Sequence, residues 1–284
     1  MSRRQHLPDA LTPEQVIALQ DALLANADRL LQASLTMLDN DNAALARALA
    51  ILGMEESGKA IAVHERRVGM ARATEGAPFV DERLKKVWAD HGLKLEVVHH
   101  FLVHEQYWFG LHQSDSEENA RVLGTIEQWK RDHNTLKQRG FYVDVAEGGD
   151  PVTPETVADP HAVRAVVGYV DQIGWQLRLG EHIEGKHRMQ AERGAPPATE
   201  AEIERMRRLL RRADPKIAEH MLESMRTGVP GDTFANADYA FALPADPFET
   251  VGKPGYEAQD RSLRRTWLES FPTEPTGDTA GTGQ

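Results

Sequence analysis

The sequence predicts an all-α fold, an antiparallel bundle of about five long helices with a short helical appendage and an irregular C-terminal tail. Three observations predict it. Apolar residues recur at helical spacing over most of the first 192 positions, capping signals punctuate that recurrence, and alternating runs nowhere cluster into a sheet. With 284 residues, 40% of them hydrophobic, the chain can bury a sizeable core.

Thr12-Pro13-Glu14-Gln15 combines an N-cap threonine, proline at the first helical position and a capping-box glutamine, so a helix starts there and runs to about Leu38. Asn40-Asp41-Asn42 breaks it and caps a second helix, Ala43 to about Met70, on which Leu45, Leu49, Leu52 and Val63 define the expected core face. So short a turn makes the two helices antiparallel. Asp81 caps a third helix carrying Leu84, Trp88, Leu95, Val98 and Leu102 toward Phe109. A fourth is expected from about Glu117 to Arg139, ending at Gly140 in a left-handed cap. Phe141 to Val145 alternates and reads as extended, and Asp159-Pro160 opens a fifth helix that continues to about Glu192.

Arg193-Gly194-Ala195-Pro196-Pro197 cannot continue a helix and reads as a linker. The expected organisation is therefore a bundle over 1–192, a helical appendage over 193–228 and a tail over 229–284. Thr199 with Glu202, and then Asp214-Pro215, start the two short helices of the appendage. Beyond Val229 the composition favours loose packing, apart from a turn around Arg261 to Phe271.

Composition narrows the chemistry. The chain has no cysteine, which excludes disulfides, thiolate metal sites and cysteine nucleophiles. The N-terminal residues lack an apolar signal core, and no stretch approaches the ~20 apolar residues of a membrane span, so a cytoplasmic location and no membrane partner are expected. A net charge of -11 opposes non-specific adhesion to nucleic acid, so RNA contact needs a local basic patch. Arg205, Arg207, Arg208, Arg211, Arg212 and Lys216 form such a cluster, which reads either as a phosphate track or as the outer face of a docked amphipathic helix.

Ionisable residues intrude on the apolar faces. The second helix carries Glu56 and Lys59 into its Leu45–Leu49–Leu52 stripe, with Gly58 beside them permitting close approach of another backbone. An intrahelical Glu55–Lys59 pair on a solvated face explains the same residues equally well. The third helix places His91 on its core face and Lys94 at the border. Two such intrusions on neighbouring helices suggest one shared polar cluster of Glu56, Lys59 and His91; the charged run Glu181 to Arg188 on the fifth helix reads either as a solvated face or as completing that cluster in part.

These residues carry a resemblance. Glu55-Glu56-Ser57-Gly58-Lys59-Ala60 resembles the E-E-x-G-K-A helix of AbiV-type abortive-infection proteins, and His91 with Lys94 is similar to that family's H-x-x-K element. Leu136 to Asp144 resembles its L-x-x-R-x-x-Y-V-D segment, which contributes Arg139, Tyr142 and Asp144. The resemblance covers roughly Leu11 to Glu192. It implies a HEPN-related bundle in defence against phage that acts on RNA or translation, or sequesters a phage protein or translation component without catalysis. A homodimer is among the assemblies it allows.

Many HEPN ribonucleases place an arginine four to six residues from a histidine, yet none of the 12 histidines here has one at that spacing upstream. Lys86 ahead of His91 is the nearest substitute, and it offers charge without a bidentate fork. The expected catalytic set is Glu56, Lys59, Lys86, His91 and Lys94, with Arg139, Tyr142, Asp144, Glu184 and His187 as binding residues and no cofactor. A rival reading takes Glu96-x-x-His99 and Glu184-x-x-His187 as di-iron ligands bridged by Glu56 and Glu65. His100 and His104, at i,i+4, offer a zinc-compatible spacing.

Overall fold

The computed structural model describes residues 7–107, 114–157 and 159–243. Helix α1, Pro13–Asp39, starts at the Thr12 capping box, in which Gln15 N–H donates to Thr12 Oγ1 at 3.3 Å and Thr12 N–H to Gln15 Oε1 at 2.9 Å. Asp41 takes a left-handed turn conformation (φ 57°), and Asn42 caps α2, Ala43–Met70, by accepting from Leu45 N–H. α1 and α2 pack along their lengths, and Ser34 Oγ–H reaches across to the carbonyl of Ala46 at 2.7 Å.

α2 is the central element, in contact with helices on several sides. Its fully buried positions include Ala46, Ala50, Ile51, Met54, Ala60 and Ile61, whereas Leu45, Leu49 and Leu52 are only half-buried. The expected core face is therefore corrected. A helix enclosed on most sides has little apolar contrast around its axis, and its closest contacts fall on small residues that a search for large apolar side chains passes over.

The expected third helix is two. α3 is Glu82–Ala89 and α4 is His91–His104, with Asp90 extended between them (φ -116°, ψ 121°). Asp90 ends one helix and caps the next, its carboxylate accepting from Leu93 N–H at 3.0 Å, a role aspartate fills better than an interior helical position. His91 thereby becomes the first residue of α4. The expected continuation to Phe109 reaches residues outside those described. The fourth helix likewise divides at Gly124 (φ 76°) and Thr125 into α5, Ser116–Leu123, and α6, Ile126–Arg139.

Gly140 follows α6 with ordinary right-handed dihedrals (φ -77°), so the left-handed cap expected there does not form. What it provides is close approach, because a Cβ would sit 2.6 Å from the carbonyl oxygen of Ala44. The extended run shrinks to β1, Asp144–Val145, paired antiparallel with β2, Pro151–Val152, while Phe141, Tyr142, Val143 and Val145 stand exposed. α7, Pro160–Arg193, closes the bundle against α1 and α2 through Val163, Val166, Val170, Ile173 and Leu177.

α8, Glu200–Leu209, and α9, Pro215–Thr227, pack on each other, with one buried residue apiece, Ile203 and Leu222. Loose packing beyond Val229 does not hold for the stretch that follows. Asn236 donates to the carbonyls ending α2, Tyr239 stacks on Phe79, and Phe241 is buried against Arg67 and His64, because these scattered side chains match a groove that the helices build together. The proposed turn at Arg261 to Phe271 lies outside the described residues. Among the described residues no helix is long and apolar enough to cross a membrane.

Two helical glycines test this packing with opposite signs. A Cβ at Gly58 would collide with the carbonyl oxygen of Lys94, so Gly58→Ala should lower stability by about 1–3 kcal/mol despite alanine's better helix propensity. Gly168 on α7 has open space around it, and Gly168→Ala should raise stability by about 1 kcal/mol. Urea unfolding reads both, and a stabilised Gly58→Ala protein would contradict the α2–α4 contact.

Candidate functional site

The close crossing at Gly58 brings α4 onto α2, and Trp129 of α6 fixes the third wall by donating its indole N–H to the Leu95 carbonyl at 3.1 Å. Between these helices lies Glu55, whose side chain is 5% exposed. One carboxylate oxygen accepts from His91 Nδ1 at 2.5 Å and the other from the buried ammonium of Lys137. The His91 side chain is 62% exposed, so with Nδ1 occupied its Nε2 is the ring nitrogen left to meet a solute.

Glu56 turns one residue further and pairs with Lys59 along its own helix at 2.5 Å, and the Lys59 ammonium lies 5.0 Å from the centre of the Trp88 ring. The expected carboxylate partner of His91 is thus corrected from Glu56 to Glu55. A rotation of ~100° per residue decides which of two adjacent glutamates points between α4 and α6. The expected Glu55–Lys59 pair does not form, because Glu55 is already held from the other side.

Lys94 is almost wholly buried. Its pKa is lowered chiefly by desolvation and then by Lys59, with Lys137 adding to the effect and Glu55 and Glu56 opposing it. The cluster therefore holds two carboxylates and three lysines beside one imidazole. Cations outnumber anions even with His91 neutral, which favours an anionic visitor at the exposed histidine.

Of the residues the sequence singled out, Glu56, Lys59, His91 and Lys94 belong to this cluster. The others sit elsewhere. Lys86 lines a cleft with Glu65, Arg83, Glu96 and His100; Arg139 and Tyr142 are exposed; and Asp144 accepts from the N–H of Val145. His187 is exposed on α7, and Glu184 joins a different network. Sequence reasoning missed Glu55 and Lys137. Lys137 was findable, since Trp129, His133 and Lys137 follow one another at i,i+4 spacing and make up the buried face of α6.

The di-iron ligand set does not assemble. Glu96 pairs with Lys130 at 2.8 Å, Glu65 with Arg83 at 3.1 Å, and His99 Nε2 donates to the Gly124 carbonyl at 2.9 Å. No group of three or more histidine and carboxylate side chains arranged to hold a metal occurs among the described residues. His100 and His104 lie against each other with ring centres 4.3 Å apart.

The charged run of α7 does not face His91 either. Glu181 accepts from Gln20 at 2.6 Å and from Arg178 at 2.7 Å, while Arg178 also reaches Asp21 at 2.9 Å. Glu184 accepts from Tyr107 O–H at 3.1 Å, and that hydroxyl lies 3.0 Å from His64 Nε2. With the tyrosine proton committed to Glu184, His64 Nε2 is the donor and its Nδ1 is left as a buried acceptor. This network engages α2 nine residues beyond Glu55, about 14 Å along the axis, and it ties α1, α2 and α7 together.

A carboxylate, a histidine and a lysine thus meet from three helices of an all-α bundle. The AbiV family model, which is of the HEPN type, matches residues 15–175. The chain belongs to the AbiV family, which associates it with abortive infection, a bacterial defence against phage. No curated protein and no solved structure matches it.

Removing Glu55 leaves the Lys137 ammonium buried without its counter-ion. Glu55→Leu should cost about 3–5 kcal/mol, and Lys137→Met added to it should restore much of the loss. Strictly additive effects in a urea double-mutant cycle would contradict the pairing.

His64 supplies a pH test. Desolvation, then Arg67 and Arg178, depress its pKa from 6.5 to about 3. Between those values the unfolded chain binds a proton that the folded chain does not, so stability is full above about pH 6.5 and falls toward pH 3 by up to about 1.4 kcal/mol per unit. His64→Gln should flatten that slope, and a slope unchanged between the two proteins would refute the assignment.

Proposed function

We propose that this chain is an abortive-infection effector that acts on RNA in the cytoplasm, and that its Glu55–His91 dyad serves phosphodiester cleavage by acid/base chemistry. The observation that carries the proposal is the exposed imidazole held through Nδ1 by a buried carboxylate, beside an excess of ammonium groups. Glu55 orients the ring through Nδ1, as the carboxylate does in other histidine dyads. Nε2 takes the proton of an RNA 2′-hydroxyl. The 2′-oxygen bonds to the adjacent phosphorus, the bond to the 5′-oxygen breaks, and a 2′,3′-cyclic phosphate forms.

Lys59 and Lys94 supply positive charge for the phosphorane, and desolvated Lys94, with its lowered pKa, is suited to return a proton to the leaving oxygen. The charge balance asks for no metal ion. A second reading is non-catalytic capture of a phage or translation component, and the exposed Phe141, Tyr142, Val143 and Val145 beside the mini-sheet favour it as a docking surface.

His91→Ala separates the two. In the catalytic case the variant stays folded yet loses phage protection and RNA cleavage by 100-fold or more, in the range typical of a general base. Full protection by a folded His91→Ala protein, with RNA intact in wild-type infected cells, would overturn catalysis. Protection that is lost in Tyr142→Asp but kept in His91→Ala would establish the binding reading instead.

A further inference from the structure

His100 and His104 take part neither in the dyad nor in the buried network of α7. Both are exposed, and their ring centres lie 4.3 Å apart with the ring planes at 57°. Helix geometry sets this up. Residues four apart differ by about 40° around the axis and about 6 Å along it, so both rings leave α4 on one side. By contrast His182 and His187, exposed on α7, are five apart and diverge by about 140°.

The two rings have no competing partners. Neither is hydrogen-bonded to another described residue. The nearby carboxylates are engaged elsewhere, Glu65 with Arg83 at 3.1 Å and Glu96 with Lys130 at 2.8 Å. Desolvation first, and then the adjacent His104, lower the pKa of His100, so near pH 7 its ring is neutral and keeps one nitrogen lone pair available. A lone pair in that state, with a second imidazole in contact, is the beginning of a chelate.

The spacing fits one ion. A metal about 2.0–2.1 Å from one nitrogen of each ring holds those nitrogens roughly 3.3 Å apart at a tetrahedral angle. Rings already in contact reach that separation by turning about their side-chain bonds, with the helix backbone unmoved. Imidazole nitrogen suits zinc, nickel and copper, whereas magnesium and calcium require oxygen ligands. No third histidine or carboxylate joins the pair in a metal-holding group among the described residues, so the site is open and its ion exchanges with solution.

We propose that His100 and His104 bind a divalent transition-metal ion of the zinc, nickel and copper class, each ring giving one nitrogen and water completing the coordination. His104 is the last residue of α4, and Glu105 after it is left-handed (φ 40°), so the bound ion clamps the final turn of that helix. The pair lies nine and thirteen residues beyond His91, about 14–20 Å along the axis. The ion is thus remote from the dyad, and the site stands whether or not the protein cuts RNA.

The test titrates the full-length, untagged protein by calorimetry with the chlorides of zinc, nickel, copper(II) and magnesium. One equivalent of each transition ion should bind, copper more tightly than nickel or zinc, and magnesium should give no measurable heat. Zinc should also raise the unfolding temperature. His100→Ala and His104→Ala change exposed side chains, and each should weaken zinc binding tenfold or more and abolish the thermal shift, whereas His182→Ala should leave both unchanged. Electron paramagnetic resonance of the one-equivalent copper complex gives a readout that needs no variant: the splitting should report two imidazole nitrogens in the wild-type protein, and one in each single variant. Zinc affinity unchanged in both variants would mean an adventitious ion only and overturns the site. So does magnesium binding as tightly as zinc, or a copper spectrum without imidazole nitrogen.

Discussion

The structure depends on keeping one charge buried. Glu55 lies in the middle of the most enclosed helix, where an isolated carboxylate would cost several kcal/mol. It is tolerated because α4 brings His91 to one oxygen and α6 brings Lys137 to the other. The pairing dictates where those helices cross α2, and Gly58 and Gly140 provide the clearance for them to come that near. The carboxylate acts as a locating pin as well as a chemical group, because neither neighbour can slide along α2 without stranding a charge.

Asp90 matters for a related reason. Had α3 continued through it, His91 would be an interior helical residue. The break makes His91 the first residue of α4, its ring exposed at the helix start while Nδ1 still reaches the buried carboxylate. A cap, a glycine contact and an ion pair thus turn three helices into a single oriented imidazole. That is the condition acid/base chemistry on RNA would need.

The second polar network works differently. His64, Tyr107, Glu184, Gln20, Arg67, Glu181 and Arg178 link α7 to α1 and α2 around side chains that are largely buried, and the stretch ending at Phe241 covers part of them. Such a network specifies a packing arrangement, and its low-dielectric setting depresses His64 below the range where it could titrate near neutral pH. The charged run on α7 accordingly serves the bundle's assembly, well away from the dyad.

The sequence by itself determined the helical class, the positions of α1, α2, α7, α8 and α9, and the short string of residues from which the cluster is built. Those features rest on local physics: Thr12, Asn42 and Thr199 cap helices whatever surrounds them, and proline after Asp159 or Asp214 starts a helix in any context. Only the tertiary structure decided between Glu55 and Glu56, recruited Lys137, separated Lys86 from His91 and folded the chain around Phe241 back onto α2. Each of these turns on a rotation of one residue or on a contact between distant segments. Hydrophobic periodicity is nearly flat on a helix enclosed as fully as α2, so the direction in which a charge points there is settled by its partners.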